Sequence, residues 1–393
     1  MSVKPKKAVE NLPPYKAARS SESVKLEYGL ESVLKLSANE NTLGFSPKVQ
    51  EALKKVDSYY PDRAGTALRT AIAKKYNVEA ENVILGNGSF ELIQLLSIAF
   101  LENGEETIGA IPSFGWYKTT TTFCGGKFIG VPVKDFKVDL TGIASQITEK
   151  TKIIWLCNPN NPTGTIIKEN ELTDFLSKIR SDILVVLDEA YIDFVEEEGF
   201  PDSIELLKKF DNIVILRTFS KADGLAGLRA GFAIAEKGII NILNRIRIPS
   251  NASSAAQLSA LAALEDSDFK KKTVQNASEQ KKVWYKFFDT YGLKYIKSNA
   301  NFIFFDVIKS WLFKKDNFFY VHSVNLIKAY GKVRYTMTNT NYLYGLNPCS
   351  NFNQWDQMAL WQAMQTPNPN SVSFKGTSST QAASSTNAAN QTT

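Results

Sequence analysis

A three-layer α/β sandwich around a mainly parallel sheet, followed by a smaller α+β domain, is the fold this sequence predicts. Three observations predict it. Runs such as "ILVVL" are apolar throughout, as expected of strands covered by helices on both faces. Between about Asn82 and Ala235 such runs alternate with longer helical patterns, the layout of βαβ units. The 393 residues, 44% hydrophobic and 22% charged, suffice for one large core and a second, smaller one.

Taken in order, residues 1–43 read as an N-terminal arm. In the large domain, 44–270, "NVIL" is a strand entering the turn and amphipathic helix "GNGSFELIQLLSIAF". "ETIGAIPSF", "KFIGVPV", "KIIWLCNPNNPTG", "DILVVLDEAY", "NIVILRTFSK" and "RAGFAIAE" supply further strands, several ending in polar residues. "SNASSAAQLSALAALE" and "SEQKKVWYKFFDTYG" are helical, and "NANFIFFDV" is a strand of the smaller domain, 271–365. The last 28 residues, 366–393, hold one charge, Lys375, and almost no large apolar side chain. They cannot offset their chain entropy and are expected to be disordered.

Composition removes several chemistries. The net charge of +6 is dispersed, which favours solubility and anionic small substrates over nucleic acid. Cys124, Cys157 and Cys349 form neither a disulfide framework nor a zinc spacing. No apolar run reaches the ~18 residues of a membrane span, and the first residues lack the apolar core of a secretion signal. A cytoplasmic protein is expected. His322 is the sole histidine, so Ser-His-Asp, Cys-His and multi-histidine metal sites are excluded. Proton transfer falls to Lys, Asp, Glu, Tyr or Cys, or to a bound cofactor.

The polar strand ends point to that cofactor. "GNGSFEL" offers the free N–H groups of a helix start to a phosphate. "VLDEAY" places Asp188 at a strand end with Tyr191 three residues on, and "RTFSK" delivers Thr218, Ser220 and Lys221. Singly these have duller readings: Lys221 a solvated lysine, Asp188 a helix cap, Phe114 core, the glycine turn a turn without a ligand. As a set they match pyridoxal phosphate, whose aldehyde needs a lysine and whose ring nitrogen needs a carboxylate. Its phosphate needs N–H groups, hydroxyls and a guanidinium. A carboxylate buried at Asp188 also calls for a cationic partner.

"SANEN", "YYPD", "GNGSFELI", "PSFGWY", "CNPNNPTG", "VVLDEAYIDF" and "RTFSKADGLAGLRAG" occur in the order and spacing of another group of sequences. Over about residues 11 to 307 the chain resembles the fold-type I, pyridoxal-phosphate-dependent aminotransferases. Within them it is most similar to the histidinol-phosphate aminotransferases, whose N-terminal arm "NLPPYKAARS" resembles. The resemblance implies roles by position. Lys221 forms the Schiff base and shuttles the proton, Asp188 pairs with the ring nitrogen, and Asn161 and Tyr191 bond the ring oxygen. Phe114 stacks on the ring, while Gly88, Ser89, Ser220 and Arg229, with Thr218 assisting, hold the phosphate. Tyr60 reaches the phosphate site of the neighbouring subunit in a homodimer, and Tyr15 and Asn39 face the substrate. Cys157 is a packed small hydrophobe, and no metal is implied.

After "NFIFFDV" the likeness fades. Arg334, in "VRYTMT", is the sole arginine after Arg247 and matches one of two family arginines that grip the substrate's anionic ends. Ile327 or Lys328 falls near the place of the other. Either the small domain has drifted, or the reading frame is altered near Val307. The implied function is transamination between L-histidinol phosphate and 2-oxoglutarate in histidine biosynthesis. The alternatives are an aromatic amino-acid aminotransferase, a phosphothreonine decarboxylase-like enzyme, or a cofactor-binding sensor without turnover.

Overall fold

The computed structural model describes residues 3–10, 12–14, 20–33, 35, 37–306, 318–321 and 338–339. A seven-stranded sheet is built from β1 (Val83–Asn87), β2 (Glu106–Ile111), β3 (Lys127–Pro132), β4 (Thr151–Cys157), β5 (Leu184–Asp188), β6 (Ile213–Thr218) and β7 (Ala230–Ala235). Their order is β1-β7-β6-β5-β4-β2-β3. All neighbours are parallel except those of β7, which is antiparallel to both β1 and β6.

The uniform apolarity of the central strands has a direct structural cause. Along β4, Ile153 and Trp155 enter one core beside Val186 and Leu216. Ile154 and Leu156 enter the opposite core beside Val185 and Leu187. Each of these side chains is essentially inaccessible, and each such burial contributes about 1.5–3 kcal/mol. Helices supply the outer layers. The Gly88–Phe100 helix covers one face through Leu92, Ile93 and Leu96, and the Glu169–Lys178 helix covers the other through Leu172 and Leu176. Beyond β7, Phe232 and Ile234 pack with Leu68, Ile72 and Phe219 in a third cluster.

The 25-residue helix Ser267–Tyr291 begins where Asp266 accepts the Phe269 amide proton and stops at Gly292, which takes a left-handed conformation. A second sheet of antiparallel pairs has the order β11-β10-β9-β8. Its strands are β8 (Tyr295–Ile296), β9 (Ile303–Asp306), β10 (Phe318–Val321) and β11 (Thr338–Asn339). Phe302 and Phe304 join Tyr191, Phe194, Ala222 and Ala277 in a cluster that ties this region to the strand ends of the large sheet.

Candidate active site

Six strands of the large sheet point one way, so Asn87, Cys157, Asp188 and Thr218 terminate at one edge. There, outside the carboxyl ends of the strands, α/β sheets bind ligands. β7 runs the opposite way and starts at this edge, directly after Arg229. A single β6–turn–β7 hairpin therefore carries Thr218, Ser220, Lys221 and Arg229 to the same place.

Asp188 closes β5 with a 3% exposed side chain. Its Oδ2 accepts a 2.7 Å bond from the Tyr117 hydroxyl and its Oδ1 a 3.2 Å bond from the Ala190 amide. Among the described residues no cationic nitrogen lies within ion-pair distance of it. Burial raises its pKa, and the Tyr117 and Ala190 bonds oppose that rise only in part. The cationic partner expected at this carboxylate is thus not supplied by a described side chain. Tyr117 is wholly buried and stacks on Trp155 at 5.0 Å with an interplanar angle of 4°. Phe114, just before the Trp116–Cys124 helix that carries Tyr117, meets Tyr117 edge-on at 5.5 Å.

Tyr191 follows β5, and its hydroxyl accepts bonds from Asn39 Nδ2 at 2.9 Å and Asn161 Nδ2 at 3.4 Å. Burial pushes this phenol's pKa up, so it stays protonated with a hydrogen to donate. The Lys221 ammonium donates to the Ala38 carbonyl at 2.8 Å and lies 5.5 Å from the Tyr191 ring centroid. Burial pulls the Lys221 pKa down to about 8; Glu40 opposes that pull and Arg229 adds to it. At pH 7.5 roughly a quarter of such amines are neutral, against about one in a thousand for an ordinary lysine.

At the other end Arg229 donates from Nη1 to Ala226 O at 2.9 Å and Ser220 Oγ at 3.5 Å, and from Nη2 to Asn87 O at 3.3 Å. No described carboxylate pairs with it, and burial lowers its pKa. Thr218 Oγ1 donates to Ser220 Oγ at 2.9 Å. Asn87 provides no side-chain cap to the Gly88–Phe100 helix, whose first N–H groups, at Gly88 and Ser89, start beside the guanidinium. Gly88 has φ +71°, and a Cβ there would collide with the Arg229 guanidinium. A side chain here would push the guanidinium aside and strain a left-handed backbone.

The residues fit the cofactor the strand ends suggested. An uncompensated cation and the N–H groups of a helix start suit a phosphate, and an uncompensated buried carboxylate suits a protonated ring nitrogen. Between them lie a readily deprotonated amine and a phenol. Phe114 packs on Tyr117 and Phe90, whereas Tyr60 is 84% exposed, with the Arg63 guanidinium 6.0 Å from its ring centre. Asn39 is buried against Tyr191. Tyr15, His322, Ile327, Lys328 and Arg334 lie outside the described residues, as does the 366–393 tail.

The family model for aminotransferase class I and II matches residues 31–344. The chain belongs to this family. Among curated relatives, histidinol-phosphate aminotransferase 2 of Carboxydothermus hydrogenoformans is 44% identical over 302 residues, 76% of this chain and 83% of that one. Histidinol-phosphate aminotransferase of Caldicellulosiruptor saccharolyticus is 43% identical over 307 residues, 77% of this chain and 86% of that one. The fold is that of histidinol-phosphate aminotransferase from Sinorhizobium meliloti, solved with pyridoxal-5'-phosphate. That structure has a TM-score of 0.71 at 24% identity and covers 76% of this chain and 81% of its own. Aspartate aminotransferase from Thermotoga maritima matches with a TM-score of 0.68 at 23% identity, covering 77% and 85%. The expected α/β architecture is thereby established.

Sequence reasoning missed two groups within this family site. Tyr117 belongs to the quoted "PSFGWY", and its spacing of three from Phe114 was the available signal. Asp223 and Asp193, each two residues beyond a predicted site residue, both contact Lys270. Nothing in the linear order indicated that.

Proposed function

We propose that this chain is a pyridoxal 5'-phosphate-dependent transaminase exchanging an amino group between L-histidinol phosphate and 2-oxoglutarate in histidine biosynthesis. Identity above 40% to relatives named for that activity, over most of their length, carries the substrate assignment. The chemistry is supported by Lys221 standing between an unpaired buried carboxylate and an unpaired guanidinium.

When bound, the cofactor contributes an aldehyde that condenses with amines and a protonated ring that accepts the electron pair of a bond broken at the substrate's α-carbon. Asp188 keeps the ring nitrogen protonated, and Tyr117 keeps Asp188 turned toward it. Tyr191 and Asn161 would hold the ring oxygen, and Phe114 would pack against the ring. Arg229, Ser220 and the N–H groups of Gly88 and Ser89 anchor the phosphate, which leaves the Lys221 amine free to attack as the neutral base. Lys221, neutral as a base, would accept and hold the proton released at the substrate α-carbon.

No described helix is long and apolar enough to cross a membrane. A cytoplasmic homodimer is the assembly this reading implies, with exposed Tyr60 directed to the second copy's phosphate site. Purified protein given the cofactor tests the function. Half-reaction kcat/KM should be higher for histidinol phosphate than for phenylalanine. The reverse ranking would favour an aromatic aminotransferase, released carbon dioxide a decarboxylase, and no turnover of any donor a sensor.

A further inference from the structure

Two turns carry the reactive amine and the phenol, and each places an aspartate two residues further along: Asp223 after Lys221, Asp193 after Tyr191. The Lys270 ammonium lies between them, 3.1 Å from Asp223 Oδ1 and 3.2 Å from Asp193 Oδ1. Lys270 stands in the first turns of the long Ser267–Tyr291 helix. One turn on, Thr273 Oγ1 accepts a 3.0 Å bond from Asn41 Nδ2, which also donates to Ala222 O at 3.1 Å. The helix thus holds the Lys221 turn at two adjacent points. We propose that Lys270 is a positioning residue, a single ammonium that sets the Lys221 turn and the Tyr191 turn against each other.

The turn has little freedom to settle otherwise. Gly224 N donates to Lys221 O at 3.1 Å and Leu225 N to Phe219 O at 2.9 Å. Gly224 has φ +77° and backs onto the Gly44 carbonyl, which a Cβ would meet at 2.5 Å. Asp223 is 4% exposed, so losing its ammonium would strand a carboxylate that must reach water. Reaching water would disturb the turn that begins at Lys221. Lys75, the Arg217–Glu189 pair and the Tyr76 phenol face the same cluster, and none of them bridges the two aspartates.

The test uses the full chain and two readouts. The first is the rate at which cyanate modifies the Lys221 amine, followed against pH by peptide mass mapping; it needs no turnover. The second is the pH profile of the half-reaction, which rests on the transaminase reading. For Lys270→Met the midpoint of Lys221 modification should move by about half a unit or more. The kcat should fall about tenfold or more with KM changed much less, and Lys270→Arg should restore most of both. If Lys270→Met does not fold, Lys270→Met with Asp223→Asn leaves only the part-exposed Asp193 without its ammonium and should still show the shifted midpoint. A folded variant of either kind with a wild-type midpoint and wild-type kcat overturns the proposal. Wild-type protein that modifies normally yet turns over no donor would count against the transaminase reading alone.

Discussion

The Tyr117 hydroxyl donates a 2.7 Å hydrogen bond to Asp188 Oδ2 in the buried interior, held there by a flat stack on Trp155. The bond opposes the burial that would otherwise protonate the carboxylate. Tyr117→Phe keeps the ring and the stack and removes only the donor. A hydrogen bond to a charged group is worth ~1.5–3 kcal/mol, so kcat/KM should fall about 10- to 100-fold and the thermal midpoint should drop by a few degrees. Steady-state kinetics beside a melting curve would check this.

Asp188 itself should behave oppositely with and without cofactor. Its folded pKa is raised by burial, so the stability it contributes is present below its unfolded pKa of 3.8 and lost as pH rises through the folded value. Cofactor-free Asp188→Asn should therefore melt above the wild type at pH 7, the difference closing toward pH 4. With cofactor the same variant should lose activity by about a hundredfold or more.

The Lys221 amine should titrate near 8, and Glu40 raises that value while burial and Arg229 lower it. Glu40 also pairs with Lys35 at 2.7 Å. Glu40→Gln removes an anion and leaves Lys35 uncompensated, so both effects lower the amine's pKa. The alkaline rise in Lys221 modification should move to lower pH in this variant, as measured by the mapping described above.

Gly88 and Arg229 should fail together. Ala at position 88 adds a Cβ against the guanidinium and a left-handed backbone that costs ~1–2 kcal/mol. Arg229→Ala removes a charge-assisted anchor worth ~1.5–3 kcal/mol. Each should weaken cofactor binding by about tenfold or more in equilibrium titration. The double variant should fall short of the product of the two effects, because both act on one cradle.

Arg217 and Glu189 form an ion pair at 2.8 Å away from the chemistry, with the guanidinium 4.5 Å from the centre of the Tyr76 ring. Both side chains are nearly inaccessible, at 11% and 1%. Arg217→Met leaves a buried anion and should destabilise the protein by ~3–5 kcal/mol, seen as a lower denaturant midpoint. Replacing both partners with apolar residues should recover much of that loss.

How far the sequence revealed this site depended on what each residue's role rests on. Asp188, Thr218 and Lys221 were legible because an apolar run ends in a polar residue wherever a buried strand surfaces. The reversed direction of β7 was not, since a run such as "AGFAIA" reads identically in a parallel or an antiparallel pairing. Tyr117 escaped notice because its partner lies 71 positions away and only the helix phase brings them together. Asn39 was expected to face substrate, and its amide also bonds Tyr191, 152 positions on, a link no local pattern encodes. The Lys270 bridge joins a helix to two loops, and no local pattern encodes such a meeting.

The reversal of β7 has a consequence for how this pocket can change over time. Because the strand returns at once, the amine and the guanidinium are spaced by one covalent ruler eight residues long, from Lys221 to Arg229. Other strands can lengthen their loops independently, but an insertion or deletion inside this ruler alters its span with no other segment able to compensate. Changes of length should therefore accumulate elsewhere in the chain, and this hairpin should reject them.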